Sequence, residues 1–289
     1  MAATHPNLRL WAGDAADVLA EPPSDGPQEA ADRLYEHEAF RAPAVSAGAP
    51  GRGGPAAEPY TLPWFEQIER QRYGRHGYWI PKVLEFSRHG GETLLGLGEG
   101  LGTDWLQYAR NGTHVIACSP SQEQLGLVRR NFELRGLSAR ILHAPPHGLP
   151  LDSASVDVVC VQGLLHELDR PAAVIDEVYR VLRPGGKVLV VAPARYDAAY
   201  WYDACFPWRR WFRRGRPERD SAATGRSLRT AFGRFVEHKV YKRHLRRSQL
   251  PPLWRFGPLP LLERLFGQML ILKAFKPLSA ALTTVALAA

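Results

Sequence analysis

Thr93 to Gly102 reads TLLGLGEGLG, a short apolar run that passes directly into Gly98, Gly100 and Gly102. The run is bounded by Gly90-Gly91 and contains no polar residue between Leu94 and Leu97, the signature of a parallel strand buried on both faces. A helix is predicted from about Thr103 to Asn111. Glycines at such a junction let the backbone turn sharply and approach a ligand closely, while the following helix presents unpaired N–H groups. Taken alone, the turn fits a tight strand-to-helix connection equally well.

Downstream the alternation repeats. His114 to Cys118 reads as a strand and Gln122 to Arg135 as a helix with Leu125, Val128 and Phe132 on one face. Ala139 to His143 is a weak strand, Val156 to Val161 a strong one, and Pro171 to Leu182 a helix. Lys187 to Ala192 is another strong strand after the turn Arg183-Pro184-Gly185-Gly186, and Leu270 to Phe275 is a candidate final strand. Strands alternating with helices of about ten residues predict right-handed βαβ units and a doubly wound parallel sheet covered on both faces.

Upstream, Tyr60 to Gly90 is rich in aromatic and aliphatic residues at helical spacing. Ala42 to Pro59, APAVSAGAPGRGGPAAEP, has almost nothing large to bury and reads as a flexible linker. Residues 1–59 are therefore taken as a flexible N-terminal extension and 60–289 as the main domain. Its core is placed at 91–193, an aromatic and basic cap at about 195–249, and a C-terminal element at 250–289. The short helix suggested by Ala12 to Phe40 is left open.

Charge is uneven. Arg195 to Arg247 holds fifteen Lys and Arg against five Asp and Glu, a local +10 in a chain of net +8, so the remainder carries −2. Such a region suits an anionic membrane surface, an acidic substrate or nucleic acid, or simply a solvated face. Cys118, Cys160 and Cys205 lie about forty residues apart and are odd in number, which fits neither a disulfide framework nor a zinc site. With no basic, then apolar, N-terminal leader and no apolar run of membrane-spanning length, a cytoplasmic location is expected, with peripheral membrane association as an extension of it.

The elements that follow the glycine turn carry a resemblance. Leu149-Pro150-Leu151-Asp152-Ser153-Ala154-Ser155-Val156-Asp157 leads to Leu164-Leu165-His166-Glu167, and then to Glu177-Val178-Tyr179-Arg180-Val181-Leu182-Arg183-Pro184-Gly185-Gly186-Lys187. In this order and spacing the chain resembles the class I S-adenosylmethionine-dependent methyltransferases, particularly the small-molecule group that includes ubiquinone and menaquinone methyltransferases.

The resemblance implies a three-layer, Rossmann-like, mostly parallel seven-stranded sheet with S-adenosyl-L-methionine across the carboxyl ends of its first strands. It implies that Gly98, Glu99, Gly100 and Gly102 face the methionine part, that Ser119 and Pro120 meet the ribose, and that Pro145 borders the adenine. Leu164 would lie near the sulfonium. His166 itself reads either as a base beside the methyl acceptor or as a packed or solvated histidine.

The family usually has acidic residues where this chain has Gly96, Ser119 and Pro145. Glu99 and Asp104 are the candidates to replace them, although Asp104 also suits the dipole at a helix start. His166-Glu167 lacks a second histidine four residues on, so no metal is expected.

The function implied is methyl transfer to a small-molecule or lipid-like acceptor, with peripheral membrane contact through 200–214. Two alternatives stay open. One is a non-catalytic binding module that has lost the cofactor. The other is an RNA methyltransferase using the basic region, although nucleic acid is not the partner preferred. The Trp208-Arg209-Arg210-Trp211-Phe212-Arg213-Arg214 run suits a lid, a lipid headgroup layer or base stacking.

Overall fold

The structure, a computed structural model, describes residues 57–74, 77–98, 100–163, 171–205, 222–245, 250, 254 and 256–278. The N-terminal extension up to residue 56, the Trp/Arg run within 206–221 and the tail from 279 lie outside the described residues.

Two helices, α1 (Leu62–Tyr73) and α2 (Ile80–Leu84), precede the sheet. The order is then β1 (Thr93–Gly98), α3 (Thr103–Arg110), β2 (His114–Ser119), α4 (Gln122–Glu133), β3 (Arg140–His143), β4 (Val156–Gln162), α5 (Pro171–Val181) and β5 (Leu182–Pro193). It continues with α6 (Ala198–Cys205), α7 (Gly225–Ala231), β6 (Val236–Arg243), α8 (Leu259–Phe266) and β7 (Met269–Phe275). Among the described residues the strands form one seven-stranded sheet in the order β3-β2-β1-β4-β5-β7-β6. β1 to β5 pair in parallel, while β7 runs antiparallel to β5 and β6. This is the expected three-layer, Rossmann-like architecture.

Alternation along each strand sends side chains to two cores. Leu95, Leu97, Val159 and Val161 meet Val174, Ile175 and Val178 of α5 and Leu228 of α7. Leu94, Val158 and Cys160 meet Trp105 and Leu106 of α3 and Leu125, Val128 and Phe132 of α4. Truncating one of these buried leucines to alanine costs about 2–5 kcal/mol in comparable cores. Arg183 to Gly186 is looped out between the Val156↔Leu182 and Val158↔Lys187 pairs, and Gly185 N–H donates to the Lys276 carbonyl.

Residues 236–243, inside the span read as a cap, instead form β6 at the edge of the main sheet. The cap boundary is corrected accordingly. Edge position explains the missing apolar signal, because VEHKVYKR has one partly covered face and no fully buried residue.

At the end of the sheet away from the glycine turn, Glu85 accepts from Lys187 of β5 at 2.6 Å and Lys273 of β7 at 2.8 Å, with Arg88 at 3.5 Å and His89 at 3.7 Å. Burial alone would raise its carboxyl, but the two lysines outweigh that and bring it from 4.5 to about 2. A depressed carboxyl contributes stability that is complete above 4.5 and lost as pH falls toward 2. Glu85→Gln is therefore expected to melt below the parent at neutral pH, with the gap closing over that acid window. A gap that does not change with pH contradicts this.

Candidate functional site

β1 lies between β2 and β4, so the chain leaves it in one direction for β2 and β3 and returns on the other side to β4. The reversal opens a crevice over the carboxyl ends of β1, β2 and β4, where an open α/β sheet offers its binding site. Gly98, Ser119 and Gln162 end these three strands.

The turn between β1 and α3 needs glycine for two separate reasons. Gly98 has φ +133°, and a Cβ there would overlap the backbone carbonyl oxygen of Gln162 on β4. Gly102 has φ +68° at the N-cap of α3, and its Cβ would come within 2.9 Å of Val128 on α4. The turn is therefore packed against β4 on one side and α4 on the other.

Gln124 fixes it further. Its amide Nε2 donates to the carbonyls of Gly98 and Gly100, both at 2.9 Å, and its Oε1 accepts from the Ser119 hydroxyl at 2.6 Å. The Ser119 oxygen also accepts from Ser121 N–H at 3.0 Å, and Ser121 caps α4 by accepting from Gln124 N–H. One buried amide thus ties the glycine turn to the end of β2. Gln124→Leu strands two carbonyls and a hydroxyl, an expected loss of about 1–3 kcal/mol in denaturant unfolding. Wild-type stability in that variant contradicts the linkage.

The end of β3 joins the same rim. Ala144 N–H donates to the Ser119 carbonyl at 3.2 Å, and His143 Nε2 lies 2.9 Å from the Pro120 carbonyl oxygen. Pro120 and Pro145 are exposed along this edge. Gly98, Gly100, Ser119, Pro120 and Pro145 thus lie near the carboxyl ends of β1, β2 and β3, with Gly102 turned to Val128 of α4. Glu99, Leu164 and His166 lie outside the described residues.

Asp104 is fully engaged within the protein. Arg72 of α1 donates to both carboxylate oxygens at 2.6 and 2.5 Å, Tyr73 OH donates at 2.7 Å and Gln162 Nε2 at 2.6 Å. Burial pushes the carboxyl up, and the Arg72 charge with these hydrogen bonds brings it below its ordinary value. Tyr73 is pushed well above 10 by burial and by the neighbouring carboxylate. α1 is held over the glycine turn by this cluster and by Phe65 and Ile68, which pack on Leu101.

Gly96, one of the positions without a carboxylate, is occupied from outside. A Cβ there would overlap the Trp105 indole, so the ring stands where a side chain at 96 would begin. Its Nε1–H is buried with no hydrogen-bond acceptor among the described residues. Cys118 and Cys160 are pushed up by burial to about 11 and about 12, so both remain thiols at neutral pH and are poor nucleophiles.

The sequence did not single out Arg72, Tyr73, Gln124 or Gln162. Only Gln162 carried a local signal, as the polar residue that ends a strong apolar strand.

Residues 94–190 match a family described as a methyltransferase domain. A demethylmenaquinone methyltransferase of Clavibacter sepedonicus is 36% identical over 101 residues, 35% of this chain and 40% of that protein. An uncharacterized methyltransferase of Mycobacterium bovis is 30% identical over 158 residues, 53% of each. The chain spans about half, or less, of the length of these curated relatives. Among solved structures, a SAM dependent methyltransferase from Aquifex aeolicus has a TM-score of 0.51 at 14% identity over 73% of this chain and 96% of that one, a likeness of fold.

Proposed function

We propose that the chain transfers a methyl group from S-adenosylmethionine to a small, lipid-like acceptor of the quinone kind, starting from the match of residues 94–190 to a family described as a methyltransferase domain and from the likeness of fold to the Aquifex structure. One observation carries the reading: the turn at Gly98 has no room for a Cβ and is held by Gln124 over the crevice between β1, β2 and β4. A turn in that state leaves backbone free to approach a nucleotide-type ligand. The quinone-like acceptor is carried over from the Clavibacter relative's name.

S-adenosylmethionine brings a methyl group already activated on a sulfonium, so orienting it in line with the acceptor supplies most of the catalysis. In this proposal Gly98, Glu99, Gly100 and Gly102 meet the methionine part, Ser119 and Pro120 the ribose, and Pro145 the adenine. Leu164 flanks the sulfonium, and His166 receives the acceptor's proton. Asp104 acts at one remove, since its oxygens already serve Arg72, Tyr73 and Gln162. It holds α1 on the turn and orients Gln162 at the crevice floor.

Ser119, whose hydroxyl already donates to Gln124 and accepts from Ser121 N–H, has one lone pair left for the ribose where a carboxylate would accept from both hydroxyls. Losing one charge-assisted hydrogen bond weakens binding by roughly ten- to a hundred-fold. That substitution, with the indole standing at Gly96, favours a second reading in which the domain has lost the cofactor and does not catalyse.

Methyl-labelled S-adenosylmethionine incubated with the chain and a short-chain demethylmenaquinol separates the two. Label in the quinol product is expected; absence of both cofactor binding and transfer supports the module that has lost the cofactor instead.

A further inference from the structure

A lipid-like acceptor resides in a bilayer, and resting on that functional reading we propose that the outer face of α6 and α8 docks on an anionic membrane surface. Leu261, 52% exposed, and Leu265, 46%, stand open on α8 and Trp201, 39%, on α6, with Tyr196 exposed just before α6 and packed edge-on against Tyr200, which meets Trp201. Leu261 and Leu265, one helical turn apart, make a stripe on α8. Leu262 and Phe266 turn inward instead, to a small core with Ala198, Leu245, Leu250 and Trp254.

The face is firmly built. Lys242 Nζ donates to the carbonyls of Tyr196 and Leu265, both at 2.6 Å, and so pins the approach to α6 against the end of α8. Trp201 meets Phe266 edge-on at 6.5 Å, and Trp254 stacks on Phe266 at 5.1 Å. Leu261, Leu265 and Trp201 are thus held outward by structure that buries their neighbours.

Position links the face to the crevice. Gly98 pairs with Gln162 and Gln162 with Val191, and two residues on Pro193 pairs with Met269, which pairs with Arg243. All these residues lie at the carboxyl end of the parallel strands. α6 begins just after Pro193 and α8 ends just before Met269, so the face and the crevice open at the same end of the sheet. An acceptor leaving a bilayer under this face arrives at the end where the glycine turn lies.

Charge selects the occupant. Arg264 is exposed on α8 and Arg195 is exposed just before α6. Arg195 to Arg247, which includes α6 and β6, has fifteen cationic against five anionic side chains. Aromatic and leucine side chains amid arginines suit the headgroup boundary of an anionic bilayer. No helix of the described residues is long and apolar enough to cross a membrane, so the contact is interfacial.

The test is co-sedimentation of the full chain with vesicles of phosphatidylglycerol mixed with phosphatidylcholine, and with phosphatidylcholine alone. Binding to the mixed vesicles, weakened by salt and absent from the neutral ones, is expected. The double substitution Leu261→Glu and Leu265→Glu should weaken it by about ten-fold or more, with melting temperature unchanged. Equal binding by the double variant overturns the proposal. So does a chain that ignores vesicles, or one that forms a dimer the variant dissolves while neither binds lipid. S-adenosylmethionine affinity is read on the same samples: vesicle binding without the cofactor supports the surface and overturns the function, whereas cofactor binding without vesicles overturns the surface.

Discussion

Gly98→Ala is expected to abolish cofactor binding and to destabilise the fold by more than about 3 kcal/mol, a loss reserved for crowding that cannot relax. The obstacle is the carbonyl oxygen of Gln162, part of the backbone of a central strand, so no side-chain rotation relieves it. Moving β4 aside would disturb its pairing with β1 and β5 together. The backbone conformation adds a separate cost, because φ +133° is one that a residue bearing a Cβ rarely adopts.

Gly136→Ala separates the two contributions. It also has positive φ, at +64°, but its added Cβ meets nothing within 4 Å. A cost of about 1–2 kcal/mol is expected there. Denaturant unfolding of both variants checks the difference; equal losses mean that backbone conformation, not contact with β4, is what Gly98 satisfies.

The second large effect concerns the buried pair Arg72 and Asp104. Removing the cation leaves the buried Asp104 carboxylate without its charge partner, so Arg72→Met is expected to cost about 3–5 kcal/mol, and Asp104→Asn is the second single variant. The double variant Arg72→Met with Asp104→Asn removes both charges and should cost less than the sum of the two single losses. Strictly additive losses contradict a coupled pair.

The pH dependence should change sign. In the parent, the depressed Asp104 carboxyl contributes stability that is present above its unfolded pKa and lost as pH falls through the folded one. In Arg72→Met the carboxyl keeps its burial and loses the cation, so its pKa rises above the unfolded value. Stability then declines as pH climbs from the unfolded pKa to the raised one. Melting curves across acid pH distinguish the two slopes, and a parent-like slope in Arg72→Met removes Arg72 as the controlling charge.

Much of the fold was legible because strands buried on both faces are continuous apolar runs. β1, β2, β4, β5 and β7 each carry such a run, and the glycines after β1 mark the turn. β3 was faint because it has four residues and no buried one. β6 was invisible because its cover is one-sided and its residues belong to a basic stretch that suggested a cap.

The site was less legible, since its supporting contacts are distant in sequence. Arg72 reaches Asp104 across 32 positions and Gln162 reaches it across 58, spans over which no periodicity speaks. The partners of Asp104 were hidden in the sequence for the same reason. Gln124 lies only five residues from Ser119, but its partners Gly98 and Gly100 lie on another strand's loop. The indole of Trp105 at Gly96 is a tertiary exchange: a side chain missing from the strand is met by a large one on the next helix.

The central claim is that the crevice beside Gly98 takes S-adenosylmethionine although Gly96, Ser119 and Pro145 carry no acid. Titration calorimetry of the chain with S-adenosylmethionine and S-adenosylhomocysteine measures it directly. Dissociation constants on the order of micromolar are predicted for both, allowing for the roughly ten- to hundred-fold penalty at Ser119. No heat of binding with either ligand at millimolar concentration contradicts it.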